Sequence, residues 1–262
     1  MITLADDLGH LSYTVTGAGT PVLLVHAGIT DHRLWDPIVP ALAERHTVIR
    51  YDLRGFGESA PPSGPFSETE DLGRLLDHLG HRRVDLVGAS WGGRISVAFA
   101  HAHPERVRSL TLLAPAIGGF DWSAEKVAYD EAETAALTAG DLDAAVAVNL
   151  DMWLRGPDRG WAEVAPELAE QVRGPLRTSL VHQDTVGEHS QGVPGVDLTT
   201  LTVPTLVGIG LLDVADFRTI ARRYAAEIPG ARLVEFAGAA HLISLDAPGE
   251  LTAALLPFLD AV

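Results

Sequence analysis

Short apolar runs alternate along this chain with stretches of helical period. Residues 21–26, 46–51, 84–87, 107–113, 205–209 and 232–236 are rich in Val, Ile and Leu and are bounded by Gly, Pro or polar residues. Continuous apolar runs of that length predict buried strands of a parallel sheet. Between them, residues 68–79 place Leu72, Leu75, Leu76 and Leu79 on one helical face, and 92–102, 215–226 and 249–259 also read as helices. Alternating strand and helix defines an α/β fold, a mostly parallel sheet with helices on both faces. Ahead of this rhythm, residues 10–16 alternate like a strand, and Gly17-Ala18-Gly19 predicts a hairpin into 21–26.

The rhythm stops between Gly119 and Asp197. No strand signal occurs there, and the pattern is helical with interruptions. Asp141 is suited to N-cap a helix over 142–153, and Leu168, Val172, Leu176 and Leu180 form a stripe at four-residue spacing. Gly174-Pro175 should kink or divide that last helix. Gly118-Gly119 and Gly192-Val-Pro-Gly195 bound the segment. The expected organisation is a sheet core over 1–118 and 198–262 with a helical cap over 119–197.

The run at 84–87 ends in Gly88-Ala89-Ser90-Trp91-Gly92 and passes at once into a predicted helix. This is the G-x-S-x-G pattern of a nucleophile elbow, in which a serine with strained backbone sits on a sharp strand-to-helix turn. A serine hydroxyl is a weak nucleophile at neutral pH, so Ser90 needs a histidine to take its proton and an acid to orient that histidine. On this type of sheet the partners follow in the order acid, histidine, each just after a strand. Asp213 follows the strand at 205–209, and His241 follows the strand at 232–236. Asp216 lies one turn beyond Asp213, where it suits the start of the next helix. His182 and His189 fall in the cap, and His101 and His103 at a helix end, so all four read as surface residues. The oxyanion formed on attack needs two backbone donors. Trp91 supplies one, and the loop His26-Ala27-Gly28-Ile29 the other, at Gly28 or, alternatively, at Ile29.

Composition narrows the chemistry further. The net charge of −16 disfavours nucleic acid and anionic membranes as partners. The absence of cysteine removes disulfides, thiolate nucleophiles and cysteine metal sites, and no H-x-x-x-H or similar spacing occurs, so no cofactor and no metal are expected. No signal-peptide pattern or membrane-length apolar run is present, which predicts a soluble, cytoplasmic protein acting on a small molecule. Asp52, Arg54 and Gly57 read as a structural loop, and His26 as a backbone brace. Ile29, Arg94 and the tryptophans Trp35, Trp122, Trp153 and Trp161 are candidates for the substrate pocket.

Taken together, His26-Ala-Gly, Tyr51-Asp-Leu-Arg-Gly-Phe-Gly-Glu-Ser59, the Ser90 elbow, His103-Pro-Glu-Arg-Val107, Gly210-Leu-Leu-Asp213 and His241 make the chain resemble the α/β-hydrolase fold superfamily over nearly its whole length. Within it, the chain is similar to the compact, capped esterase and lactonase branch that includes 3-oxoadipate enol-lactonases. The resemblance implies two-step acyl transfer, with an acyl-Ser90 hydrolysed by water that His241 activates. The sequence departs from the usual pattern at Ala27, where relatives carry glycine, and at Leu211 and Leu212, where they often carry a polar residue. The leading expectation is hydrolysis of a small carboxylic ester or lactone. Carbon–carbon bond hydrolysis of a ring-fission-type diketone is the alternative, and a non-catalytic ligand receptor on the same fold is a third. Dehalogenase and epoxide hydrolase branches use Asp where this chain has Ser90.

Overall fold

The computed structural model describes residues 1–262. Eight strands, β1 (Ile2–Asp6), β2 (Gly9–Thr16), β3 (Thr20–Val25), β4 (His46–Tyr51), β5 (Val84–Ala89), β6 (Val107–Leu113), β7 (Thr205–Gly210) and β8 (Arg232–Phe236), form one sheet in the order β1-β2-β4-β3-β5-β6-β7-β8. The pairs β1/β2 and β2/β4 are antiparallel and all others parallel. Helices α1 (Val39–Ala43), α2 (Glu68–His78), α3 (Trp91–Ala102), α7 (Ala215–Glu227), α8 (Ile243–Asp246) and α9 (Pro248–Asp260) flank it. Helices α4 (Ala124–Thr138), α5 (Leu142–Asn149) and α6 (Pro166–His189) lie between β6 and β7.

Two strand expectations are corrected. The opening hairpin joins β1 to β2, and β2 does not pair with β3, because β4 lies between them. The turn at Gly17–Gly19 is therefore a crossover. The physical reason is burial: Val22 to Val25 are fully buried and need a neighbour on each side, which β4 and β5 supply, whereas half-exposed β2 can serve nearer the sheet edge. The second correction concerns β8, which is an edge strand with Arg232, Leu233 and Glu235 exposed.

Within the insert, Asp141 caps α5 by accepting the Ala144 N–H at 2.9 Å, and the helix continues as a π-helical turn over Leu150–Arg155. Pro175 does not divide α6, which is continuous from Pro166 to His189. Val172, Leu176 and Leu180 on either side of the proline are buried on one face, and this packing carries the helix through the missing N–H. The apolar cluster is shared: Val22, Leu86 and Leu112 of the sheet and Val146, Trp153 and Leu176 of the insert belong to one core. No helix is long and apolar enough to cross a membrane.

Candidate active site

The turn from β5 to α3 holds Ser90 at φ 50° and ψ −114°, a region that L-residues rarely occupy. Its neighbours show why glycine is required. A Cβ on Gly88 would lie 2.4 Å from Gly92 O, and one on Gly92 would lie 2.3 Å from Val25 O. The strained turn is pinned on both sides, since Ser90 N–H donates to Leu113 O at 2.9 Å and Ala116 N–H donates to Ser90 O at 3.0 Å.

The loops after β7 and β8 bring Asp213 and His241 together. His241 Nδ1 lies 2.9 Å from Asp213 Oδ2, with both side chains buried. Asp213 Oδ1 accepts the Val214 N–H at 2.7 Å, so both carboxylate oxygens are engaged and the group cannot rotate freely. The two loops also clasp each other, with Leu212 N–H on Ala239 O at 3.0 Å and Leu211 N–H on Phe236 O at 2.9 Å. Asp216, the sequence rival, lies in the first turn of α7 and accepts Ser123 Oγ at 2.7 Å, tying the start of α4 to the core. His101 and His103 are exposed, His182 and His189 are half-buried rather than fully at the surface, and none of the four pairs with the Asp213 carboxylate.

On the oxyanion side, Ala27 O accepts the N–H of Thr30 at 3.1 Å and closes a tight turn. Inside that turn the N–H groups of Gly28 and Ile29 have no acceptor in the chain, and Trp91 N–H stands at the first position of α3. His26 supports the turn from below. Its Nδ1 donates to Ala27 O at 2.8 Å while Nε2 accepts the Leu53 N–H at 3.0 Å, and burial pushes its pKa down, which keeps the ring neutral. The loop after β4 is likewise structural. Asp52 accepts the N–H groups of His32 and Glu58, and a Cβ on Gly57 would strike its carboxylate; Arg54 is buried against Asp71 and Asp6.

Ser90, His241, Gly28, Ile29, Trp91 and Arg94 line one cavity of about 650 Å³ between sheet rim and insert. Trp122 and Trp153 also line this cavity. Two tryptophans do not: Trp35 is fully buried in the core, and Trp161 is exposed with its indole N–H on Asp151. Trp35 ends the short helical turn His32–Trp35 with its side chain in the apolar core, whereas Trp161 opens the turn Trp161–Glu163 with its side chain exposed. Arg94 both reaches the wall and braces a seam, donating to Val193 O at 2.7 Å while stacking over the Trp91 indole.

Sequence reasoning missed several wall residues. Lys126, the only lysine in the chain, pairs with Asp130 at 2.6 Å over the rings of Trp122 and Tyr129. Trp153 Nε1 donates to Tyr129 Oη, and Tyr129 donates to Asn149 Oδ1. Phe217 and Trp153 pack on the His241 ring with centroids 4.5 and 4.7 Å away. Lys126, Tyr129 and Glu133 recur at helical spacing after the cap residue Ser123, a signal that marks a helix face but not what it faces.

One cluster could in principle attract a cation. Donor atoms of Asp31, His32 and Asp52 lie within 4.8 Å of one another. They are already committed, since Arg33 pairs with the Asp31 carboxylate and Asp52 takes His32 Nδ1 at 2.8 Å besides its two N–H donors.

A strained serine, a carboxylate-bound imidazole and free backbone donors around one cavity are the equipment of a nucleophilic hydrolase. The chain matches the model of the family described as alpha/beta hydrolase fold over residues 20–248, and it belongs to that family. The enol-lactonase of Burkholderia xenovorans LB400 superposes with a TM-score of 0.83 at 26% identity, covering 99% of this chain and 100% of that one. Haloalkane dehalogenase 2 of Mycobacterium tuberculosis (strain ATCC 25618 / H37Rv) is 29% identical over 95% of this chain and 91% of that protein. A match of higher identity is local. The 2-hydroxy-6-oxo-2,4-heptadienoate hydrolase of Pseudomonas putida (strain F1) is 43% identical over 104 residues, 37% of this chain and 38% of that protein.

Proposed function

We propose that this hydrolase cleaves a small carboxylic ester or lactone through a covalent acyl-Ser90. The observation that carries the reading is the buried His241–Asp213 bond facing the same cavity as the strained Ser90. Ser90 Oγ attacks the carbonyl carbon while His241 Nε2 takes its proton, and Asp213 stabilises the imidazolium that results. The negative charge on the carbonyl oxygen is met by the N–H groups of Trp91 and Gly28, with Ile29 as the alternative second donor. His241 returns the proton to the leaving alkoxide, then activates a water that releases the acid and restores Ser90. No cofactor enters this scheme. Residues 119–197 act as the cap, and Trp122, Trp153, Ile29 and Arg94 shape the substrate site.

Chemistry argues against haloalkane or epoxide substrates. Attack by a serine oxygen on an alkyl carbon would form an ether, which water activated by histidine does not cleave, whereas an acyl ester is cleaved. A diketone is the second reading, favoured by the local likeness to a heptadienoate hydrolase and by the Arg94 and Lys126 cations in the wall. A serine-directed phosphonate distinguishes enzyme from receptor: the expected result is one covalent adduct on Ser90, and an unmodified protein would sink the catalytic reading. Turnover of p-nitrophenyl esters, simple lactones and a vinylogous diketone then separates the substrate classes.

A further inference from the structure

The cavity wall carries three carboxylates outside the Ser90, Asp213 and His241 set, and two have clear partners. Asp130 holds the Lys126 ammonium, and Glu133 accepts the Asn149 amide. The third, Glu68, opens α2 and is 5% exposed. Its Oε1 accepts Ser190 Oγ at 2.7 Å, but Oε2 is buried with no hydrogen-bond partner. The side chain is held from core and insert together. Phe66 N–H donates to His189 O at 3.0 Å and Gln191 N–H to Phe66 O at 2.9 Å, which fixes Ser190 beside Glu68. Tyr51, whose hydroxyl is also buried without a partner, makes no hydrogen bond to Glu68. Buried carboxylate oxygens are rarely left without a donor; Oε2 has no open surface as the side chain stands, so a ligand donor meets it when the Glu68 carboxyl turns toward the cavity that Glu68 lines.

We propose that Glu68 is a specificity-determining residue that accepts an ammonium or hydroxyl group carried by the substrate of the Ser90 site. The inference rests on the ester-hydrolase reading for the identity of that substrate. At long range the net charge of −16 acts in the same direction, while within the wall the Lys126 and Arg94 cations oppose it, Lys126 being paired with Asp130 and Arg94 held on Val193 O. A substrate so recognised is a polar ester or lactone with a donor at a distance from its carbonyl, and a plain alkyl ester would leave Glu68 unpaired.

Binding to the Ser90→Ala protein tests this without requiring turnover. Calorimetry with methyl hexanoate, methyl 6-hydroxyhexanoate and methyl 6-aminohexanoate should show the hydroxyl ester, the ammonium ester or both bound about tenfold more tightly than the alkyl ester. Adding Glu68→Leu should abolish the gain, and Glu68→Gln should remove the ammonium gain while sparing the hydroxyl one. Equal binding of the three esters by Ser90→Ala overturns the proposal before any Glu68 variant is needed, and so does a gain that survives Glu68→Leu. Hydrolysis of methyl hexanoate by the intact protein and phosphonate labelling of Ser90 test the ester-hydrolase reading separately, so failure of one is distinguishable from failure of the other.

Discussion

Replacing Asp213 by asparagine isolates what the acid contributes. The substitution keeps the size of the side chain, and the Val214 N–H, 2.7 Å from Oδ1, dictates how the new amide must lie. Its oxygen has to stay on Val214, because turning the NH₂ there would set two donors against each other. The NH₂ therefore takes the place of Oδ2, 2.9 Å from His241 Nδ1, where it can only donate. His241 must then carry its proton on Nε2, the nitrogen that should accept the proton of Ser90. A triad locked in this tautomer loses about 10⁴ in kcat, or about 5 kcal/mol of transition-state stabilisation. Because the natural substrate is not needed to see the effect, the assay is the second-order rate of Ser90 phosphonylation at neutral pH, with a melting curve to show that the variant is folded. Asp216→Asn serves as the contrast, since that carboxylate holds Ser123 rather than His241, and it should retain at least about a tenth of the rate. A loss below tenfold in Asp213→Asn, or an equal loss in both variants, would refute the tautomer argument.

Other expectations follow from the same geometry. Gly92→Ala puts a methyl 2.3 Å from Val25 O and should destabilise by about 3 kcal/mol or more in urea unfolding, whereas Gly249→Ala, which meets nothing within 4 Å on a helix, should be neutral or stabilise slightly; similar effects at the two sites would contradict the elbow packing. Arg159 reaches from the insert to both oxygens of Asp246 at 2.9 Å, and Asp246 in turn accepts the Ala240 N–H beside His241. Arg159→Met strands that buried carboxylate and should cost about 3 kcal/mol, and a loss under about 1 kcal/mol would show that the latch is dispensable. At His32, burial opposes charging, but the hydrogen bond and charge of Asp52 outweigh it and raise the pKa above the ordinary 6.5. A raised value means stability fully present below the unfolded-state pKa and lost as pH rises through the folded one, so His32→Asn should lower the melting temperature more at about pH 5 than at about pH 8. Equal losses at both would remove Asp52 as the cause. Hydrolysis itself should fall in acid, because a protonated His241 cannot accept the Ser90 proton; a flat pH–rate profile would rule out His241 as the base.

Elements that carry their reason within a few residues are legible in the sequence. The elbow is one, because Gly88 is dictated by Gly92 O and Ser96 Oγ within the strand-to-helix turn itself, although Gly92 answers to Val25 O and His26 O where the neighbouring strand ends. The loops bearing Asp213 and His241 are others, since each comes within a few residues of the end of a strand, the fully buried β7 and the edge strand β8. What failed depended on long-range pairing. Residues 10–16 have the pattern of a strand, yet nothing in them says that His46–Tyr51 will come between them and β3. Pro175 is a helix breaker by local rules, and only burial of Val172, Leu176 and Leu180 against the rest of the core explains why α6 runs through it.

The cavity wall is the extreme case of such dependence, and it decides what the reactive serine meets. Trp35 and Trp153 are equivalent by composition, but one is sealed in the core while the other packs on His241. Nothing local in the sequence marks Lys126 or Glu68, yet the first is folded over aromatic rings and the second is buried against Ser190 from the far end of α6. On the proposed function, reactivity would be specified by short motifs on the sheet rim and selectivity by wall residues such as Glu68 and Ser190, which lie more than a hundred positions apart and close on one another. Changes to the insert that keep Trp153 on the His241 ring and Ser123, Arg159 and Ser190 on their core partners should alter which substrate is taken without disturbing the His241–Asp213 bond, because each anchor joins the core outside that bond.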